Sequence, residues 1–249
     1  MKNILLTIAY DGTNYAGWQR QDNAVAVQQR VEEALTELLN EPIKITGASR
    51  TDAGVHALGQ RVAFAVRHMP IPLEKLPQVV NSRLPNDIAV QAAQWVSEDF
   101  NPRFNARFKT YRYQIYSGAC PNPLMSRYSA FVSYDLDIKK MSQAAARFIG
   151  THDFAAFCAT GSGAKTTVRT IFACEIEKEG HLIRMHVTGD AFLYNMVRIM
   201  AGTVLYAGTG QLQPSDIPHI IASKDRTGAG KTMPPEGLTL MEVVYDDGI

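Results

Sequence analysis

Strand-like and helix-like hydrophobic periodicities alternate along this chain, and they do so twice in one order. Residues 4–10 read as a strand, and VQQRVEEALTELLN then sets Val27, Val31, Leu35 and Leu38 at helical spacing, with Asn40 and Pro42 as stop signals. Residues 43–48 and 61–67 read as strands, 73–84 as a shorter helix disturbed by Pro77, and 88–96 as a further strand. The order is βαββαβ. Beyond it come a strand at 111–116, a helix at 138–149 ended by Gly150, and strands at 168–177 and 182–187 around a turn at Glu179 and Gly180. Helices at 191–207 and near 214–223 and a strand at 238–245 complete the second copy. The halves share no visible sequence identity, so the repeat is one of topology. The expected fold class is α/β in the α+β sense: two ferredoxin-like, RRM-like βαββαβ halves with mainly antiparallel sheets. The linker composition of SEDFNPRFN divides them into an N-terminal domain, 1–100, and a C-terminal domain, 101–249.

Composition narrows the classes. A chain of 249 residues with 46% hydrophobic and 20% charged residues has globular composition and length enough for proper cores. Its formal charge of +1 announces no polyanion partner, so a nucleic-acid surface has to come from local clustering of Lys and Arg. Cys120, Cys158 and Cys174 lie far apart with no C-x-x-C pair, which argues against a disulfide framework and a cysteine zinc site. The N-terminal apolar run is stopped by Asp11, too short for a signal segment, and no stretch approaches a membrane span. The expectation is a soluble cytoplasmic protein.

RTDAGVHALG, at 50–59, separates two strand-like runs and is long for a hairpin connection. Read as a surface turn, Asp52 caps a backbone N–H, Gly54 supplies an unusual φ and Arg50 makes an exposed ion pair. Read as chemistry, Asp52 is a carboxylate nucleophile or acid/base group kept ionised by a guanidinium. In NPRFNARFKTYRYQIY, at 101–116, Arg103, Arg107, Lys109 and Arg112 interleave with Phe104, Phe108, Tyr111, Tyr113 and Tyr116 without an acidic residue. Cations for phosphates and rings for bases suit an RNA loop, and Arg107 and Lys109 are candidate substrate contacts. Strand alternation also puts Tyr111, Tyr113 and Ile115 on one face, where they can be core. In the apolar helix, Leu193, Val197, Met200 and Val204 form a stripe beside Arg198. That arginine either snorkels along the helix surface or meets an anion. DRTGAGKT, at 225–232, approaches a phosphate-binding loop, but Asp225 stands for the first glycine and prolines follow where a helix should begin. GSGAKTT, at 161–167, fails likewise and reads as a flexible loop with one basic residue. His181 and His186, on a strand at odd spacing, point to opposite faces and do not share a metal.

YDGTNYAGWQRQ, SRTDAGVHALGQ, RFKTYRY, FLYNMVRIMAGT and PPEGLTLMEVVY follow one another along almost the whole chain. Together they resemble the bacterial tRNA pseudouridine synthase A family. The resemblance implies an enzyme that isomerises uridine to pseudouridine at positions 38, 39 and 40 of the tRNA anticodon stem-loop, acting as a homodimer without cofactor or metal, with its two α/β halves joined around a central basic cleft. It implies Asp52 as nucleophile, Tyr111 as active-site tyrosine, Arg198 as the partner of the aspartate, Leu238 as lining of the base pocket and Arg50 as the residue used when the target base is flipped. Met233, where alanine is common, and VAVQ, where threonine often precedes VQ, are the departures. The competing class is a non-catalytic RNA-binding protein built from two ferredoxin-like modules, in which RTDAG is only a turn.

Overall fold

The computed structural model describes residues 2–246. In chain order its elements are β1 (Lys2–Tyr10), α1 (Val27–Leu39), β2 (Thr46–Gly47), β3 (His56–Val66), α2 (Leu76–Asn81), β4 (Ile88–Val96), β5 (Ala106–Ser117), β6 (Ala130–Val132), α3 (Ile138–Ala146), β7 (Gly150–Asp153), β8 (Val168–Glu179), β9 (Leu182–Gly189), α4 (Met196–Thr209), α5 (Ile217–Ser223) and β10 (Leu238–Tyr245). They fall into two compact units, Met1–Arg107 with Leu240–Ile249, and Phe108–Thr239. Both units are mixed α/β, and strand pairing is mostly antiparallel. No described helix is long and apolar enough to cross a membrane.

In the first unit the strand order is β4-β1-β3-β10, with β2 added to β3. Ile4, Leu6 and Ile8 stand opposite Phe64, Val62 and Gln60. All six are buried with Val27, Val31 and Leu35 of α1 and Leu76 and Val80 of α2. Each large apolar side chain so removed from water contributes about 1.5–3 kcal/mol. Asn40, in the left-handed region at φ 51°, ends α1.

In the first unit, the bounds of β2 and β3 differ from the periodicity, and the helix expected at 73–84 is confined to Leu76–Asn81. Of the run 43–48 just the end reaches β3: Thr46 and Gly47 pair with it, and the Ala48 N–H donates to the Arg61 carbonyl at 2.8 Å. Side chains of α1 occupy the earlier backbone: the Ile43 N–H donates to Thr36 Oγ1 at 3.0 Å, the Ile45 N–H to Glu32 Oε1 at 3.1 Å, and Gln28 Nε2 donates to the Ile45 carbonyl at 3.1 Å. The helix thus satisfies groups that a neighbouring strand would otherwise take. Conversely, β3 begins at His56 rather than near 61, because β1 continues past a bulge after Ile8 and pairs Tyr10 with Ala57. The loop of interest shrinks to residues 48–55.

In the second unit the order is β5-β9-β8-β7, with β6 parallel to β5. Tyr111, Tyr113 and Ile115 face Val187, Met185 and Ile183 across the ladder, and all six are buried. Met141, Ala144 and Ala145 of α3 and most of α4 are also buried. The helix expected at 191–207 starts only at Met196, because Asn195 is left-handed at φ 58°. Before it, the Asp190 carboxylate accepts the N–H groups of Ala191 at 2.6 Å and Thr170 at 3.0 Å. The helix at 138–149 stops at Ala146 and gives way to β7, and His181 lies in the turn before β9, where Nδ1 is 2.8 Å from the Ser117 carbonyl.

The GAGKT stretch belongs to packing. A Cβ on Gly202 would lie 1.9 Å from the Lys231 carbonyl oxygen, and one on Gly230 would lie 2.3 Å from the Gly202 carbonyl carbon. The two backbones touch, and the Gly230 N–H donates to Thr203 Oγ1 at 2.9 Å. A strand, a glycine loop and a following helix are absent here, so the phosphate-loop likeness ends at composition.

Candidate active site

The loop 48–55 is fixed from both sides. Gln60, fully buried on the core face of β3, accepts the Ser49 N–H at 3.2 Å and donates to the Ser49 carbonyl at 2.6 Å. The Tyr10 hydroxyl lies 2.7 Å from Thr51 Oγ1, and the Trp18 N–H donates to the Thr51 carbonyl at 3.0 Å. Arg50 and Asp52 are therefore held through their immediate neighbours. Arg50 is exposed, with Nη1 3.5 Å from Gln19 Oε1, and Asp52 is half-buried. Downstream, Gly54 turns the chain at φ 79°, its N–H donating to the Tyr15 carbonyl, and the Gly12 N–H donates to His56 Nδ1 at 3.0 Å.

The N-terminal segment DGTNYAGWQR is the other wall of this cradle. A Cβ on Gly12 would lie 2.0 Å from the Val55 carbonyl oxygen, and one on Gly17 would lie 2.6 Å from that of Thr51. Gly17 also sits at φ 90°, so glycine is required there twice over. Tyr15 donates its hydroxyl to Asp87 Oδ1 at 2.6 Å; burial and that carboxylate push the phenol well above its usual range.

In the second unit, three expected site residues are each held through neighbouring residues. Tyr111 is buried and meets Phe192 edge-on, with ring centroids 5.0 Å apart. Phe192 lies on the segment that leads through Asn195 to Arg198. The Arg198 guanidinium donates from Nη1 to Asn195 Oδ1 at 2.6 Å and from Nε to the Met233 carbonyl at 2.7 Å, while the Met233 N–H donates to the Arg198 carbonyl at 3.2 Å. The helical arginine is thus positioned rather than snorkelling freely. From Met233 the chain runs to Leu238, and Tyr113 fixes that run: its hydroxyl donates to the Pro234 carbonyl at 2.7 Å, and its ring lies where a Cβ on Gly237 would go. Burial pushes the Tyr113 phenol far up, so it is a donor and not a base. Leu238 itself is buried.

The two remaining expected contacts divide. Arg107 is exposed and pairs with Asp246 at 3.0 Å. Lys109 is buried, at 7% exposure, on the strand parity of Tyr111 and Tyr113. Sequence reasoning missed Gln60 and Asn195. The signal for Gln60 was a glutamine on the apolar face of a strand, which a core keeps only if its amide is satisfied. Among the described residues no group of His, Cys, Asp and Glu is placed to hold a metal ion.

A family model described as tRNA pseudouridine synthase matches residues 6–105 and 144–246. The chain belongs to that family. Asp52, Arg50, Arg198 and Leu238 fall within the matched ranges of the synthase model, whereas Arg107, Lys109 and Tyr111 lie in the interval between them. Among curated relatives, a protein of Caldicellulosiruptor saccharolyticus named tRNA pseudouridine synthase A is 48% identical over 98% of this chain and 100% of its own length. Proteins of the same name from Acetivibrio thermocellus and Geotalea uraniireducens are 47% and 46% identical over the same shares.

Proposed function

We propose that this chain isomerises uridine to pseudouridine in tRNA, at positions 38, 39 and 40 of the anticodon stem-loop, as a cytoplasmic homodimer that needs no cofactor or metal. The observation that carries the reading is the cradle around residues 48–55, which presents a half-buried carboxylate next to an exposed arginine in a chain of this family. A mere turn does not call for a fully buried glutamine, two close glycine contacts and a tyrosine hydroxyl to hold it.

The reaction detaches uracil from ribose C1′, turns it, rejoins it through C5 and releases the C5 proton, with no net oxidation or hydrolysis. Asp52 is the nucleophile, at ribose C1′ or uracil C6. Arg198 keeps that carboxylate ionised, for which its two fixed hydrogen bonds orient the guanidinium. Tyr111 stacks on the uracil and Leu238 lines its pocket. Exposed Arg50 fills or steers around the gap left by a flipped nucleotide, and Arg107 reaches the backbone. Water exclusion strengthens the pairing and hinders loss of the free base.

Tritium release from unmodified tRNA carrying 5-tritiated uridine tests this. The wild type is expected to release tritium, with product mapped to positions 38–40. Asp52→Asn is expected to lose release while binding tRNA as before. A folded wild type that binds tRNA without release would make it a binding protein.

A further inference from the structure

In the second unit, an exposed aromatic side chain and an acid-free loop meet beside the residues just described. Tyr194 is 46% exposed, between Phe192, which abuts Tyr111, and Asn195, which holds Arg198. Its carbonyl accepts the Ala159 N–H at 3.1 Å, so the root of the loop that follows is tied to that point. From Phe154 to Cys174 the chain has no acidic residue, and its cations are Lys165 and Arg169. The Arg169 guanidinium is half-buried and turned onto the carbonyls of Thr166 and Val168, which leaves Lys165 as the exposed charge. Nothing lies within 4 Å of a Cβ built on Gly161 or Gly163. Packing therefore does not demand glycine there; Gly161 instead holds a left-handed φ of 89°, and Gly163 leaves the backbone around Lys165 unencumbered.

We propose that Tyr194 and Lys165 form a second RNA contact, made with nucleotides flanking the target: the Tyr194 ring stacks on a base or ribose, and the 159–167 loop carries Lys165 onto a phosphate. The chemistry is that of single-stranded or looped RNA, a flat ring for any base and a mobile ammonium for the backbone. Apart from Lys165, the loop's polar groups are hydroxyls and backbone amides, and the carboxylate at its end, Asp153, is occupied by the Thr167 hydroxyl and by Lys224. This inference rests on the proposed function for the identity of the RNA.

The test measures the Kd of unmodified tRNA transcript across a series of salt concentrations, with tritium release by the same wild-type preparation alongside. Tyr194→Ala is expected to raise Kd by about 5- to 150-fold, the range of one base–aromatic stack, and Tyr194→Phe to stay near wild type. Lys165→Ala is expected to raise Kd and to lower the slope of log K against log salt by about 0.7 to 0.9, one phosphate contact. Lys178→Ala, which removes an exposed lysine elsewhere in the unit, is expected to leave that slope alone. Wild-type affinity in Tyr194→Ala, an equal loss in Tyr194→Phe, or an equal change of slope in Lys178→Ala would overturn the proposal. Release by the wild type with unaltered binding in the variants defeats this inference alone; absence of release defeats the catalytic reading, and the binding comparison still decides this one.

Discussion

Gln60 is a buried amide whose two hydrogen bonds both go to the backbone of one loop residue, Ser49. Replacing it with leucine removes both of these bonds to the Ser49 backbone, which costs about 0.5–1.5 kcal/mol for each bond lost. We expect Gln60→Leu to lower the urea midpoint without abolishing the fold, and to slow tritium release by on the order of 10²-fold, since a misplacement of about 1 Å costs that much. Equal release by wild type and Gln60→Leu would separate the cradle from catalysis. Gly17→Ala belongs to the same test: its Cβ would lie 2.6 Å from the Thr51 carbonyl oxygen at a φ that alanine rarely adopts. The charged loop itself was legible in the sequence, because a carboxylate and a guanidinium in a long connection stand out from apolar strands. Gln60 and Asn195 were not, because what matters in each is the partner it touches and not its type. Lys109 shows the converse: its alternation with Tyr111 and Tyr113 was in the sequence, and its burial follows that parity.

At the level of elements, the approach of residues 229–233 to α4 is the most demanding packing in the second unit. Gly202→Ala pushes a methyl group into the Lys231 carbonyl, and backbone cannot yield as a flexible side chain does. Overpacking of this kind costs typically about 1–3 kcal/mol, and urea unfolding of Gly202→Ala should show at least that loss. Because Met233 is bonded to Arg198 in both directions, the same variant should also reduce tritium release at a denaturant concentration where the chain is still folded. Elements with their own periodicity were readable in advance: α1, β4 and β10 sit where apolar spacing puts them. β6 and β7 run for three and four residues, too short for a period to register, and most of the run before β3 is claimed by Gln28, Glu32 and Thr36 of a helix. Those outcomes depend on tertiary partners, which no local window contains.

For the whole molecule, buried acids set the response to alkali. Burial pushes the Cys174 thiol up to about 12 and raises the phenols of Tyr113 and Tyr245 well beyond their usual range. The unfolded chain loses these protons first, near pH 8.5 for cysteine and near 10 for tyrosine. Their contribution to stability is therefore complete below about pH 8.5 and declines as pH rises toward the folded-state values, by up to about 1.4 kcal/mol per pH unit for each group titrating. Urea midpoints should be level from pH 7 to 8 and fall steadily from 9 to 11. Tyr113→Phe should flatten part of that fall while paying at every pH for its lost bond to Pro234. A different consequence follows from the grouping of 240–249 with the first unit rather than the second. A ribosome releases the strands β1, β3 and β4 early, yet the strand that lies beside β3 is translated only after the entire second unit. At about 5–20 residues per second, the edge of β3 waits on the order of ten seconds for its neighbour. During that interval the nascent chain carries an unpaired strand edge, so the order of translation makes a holdase chaperone most useful to the half that was synthesised first.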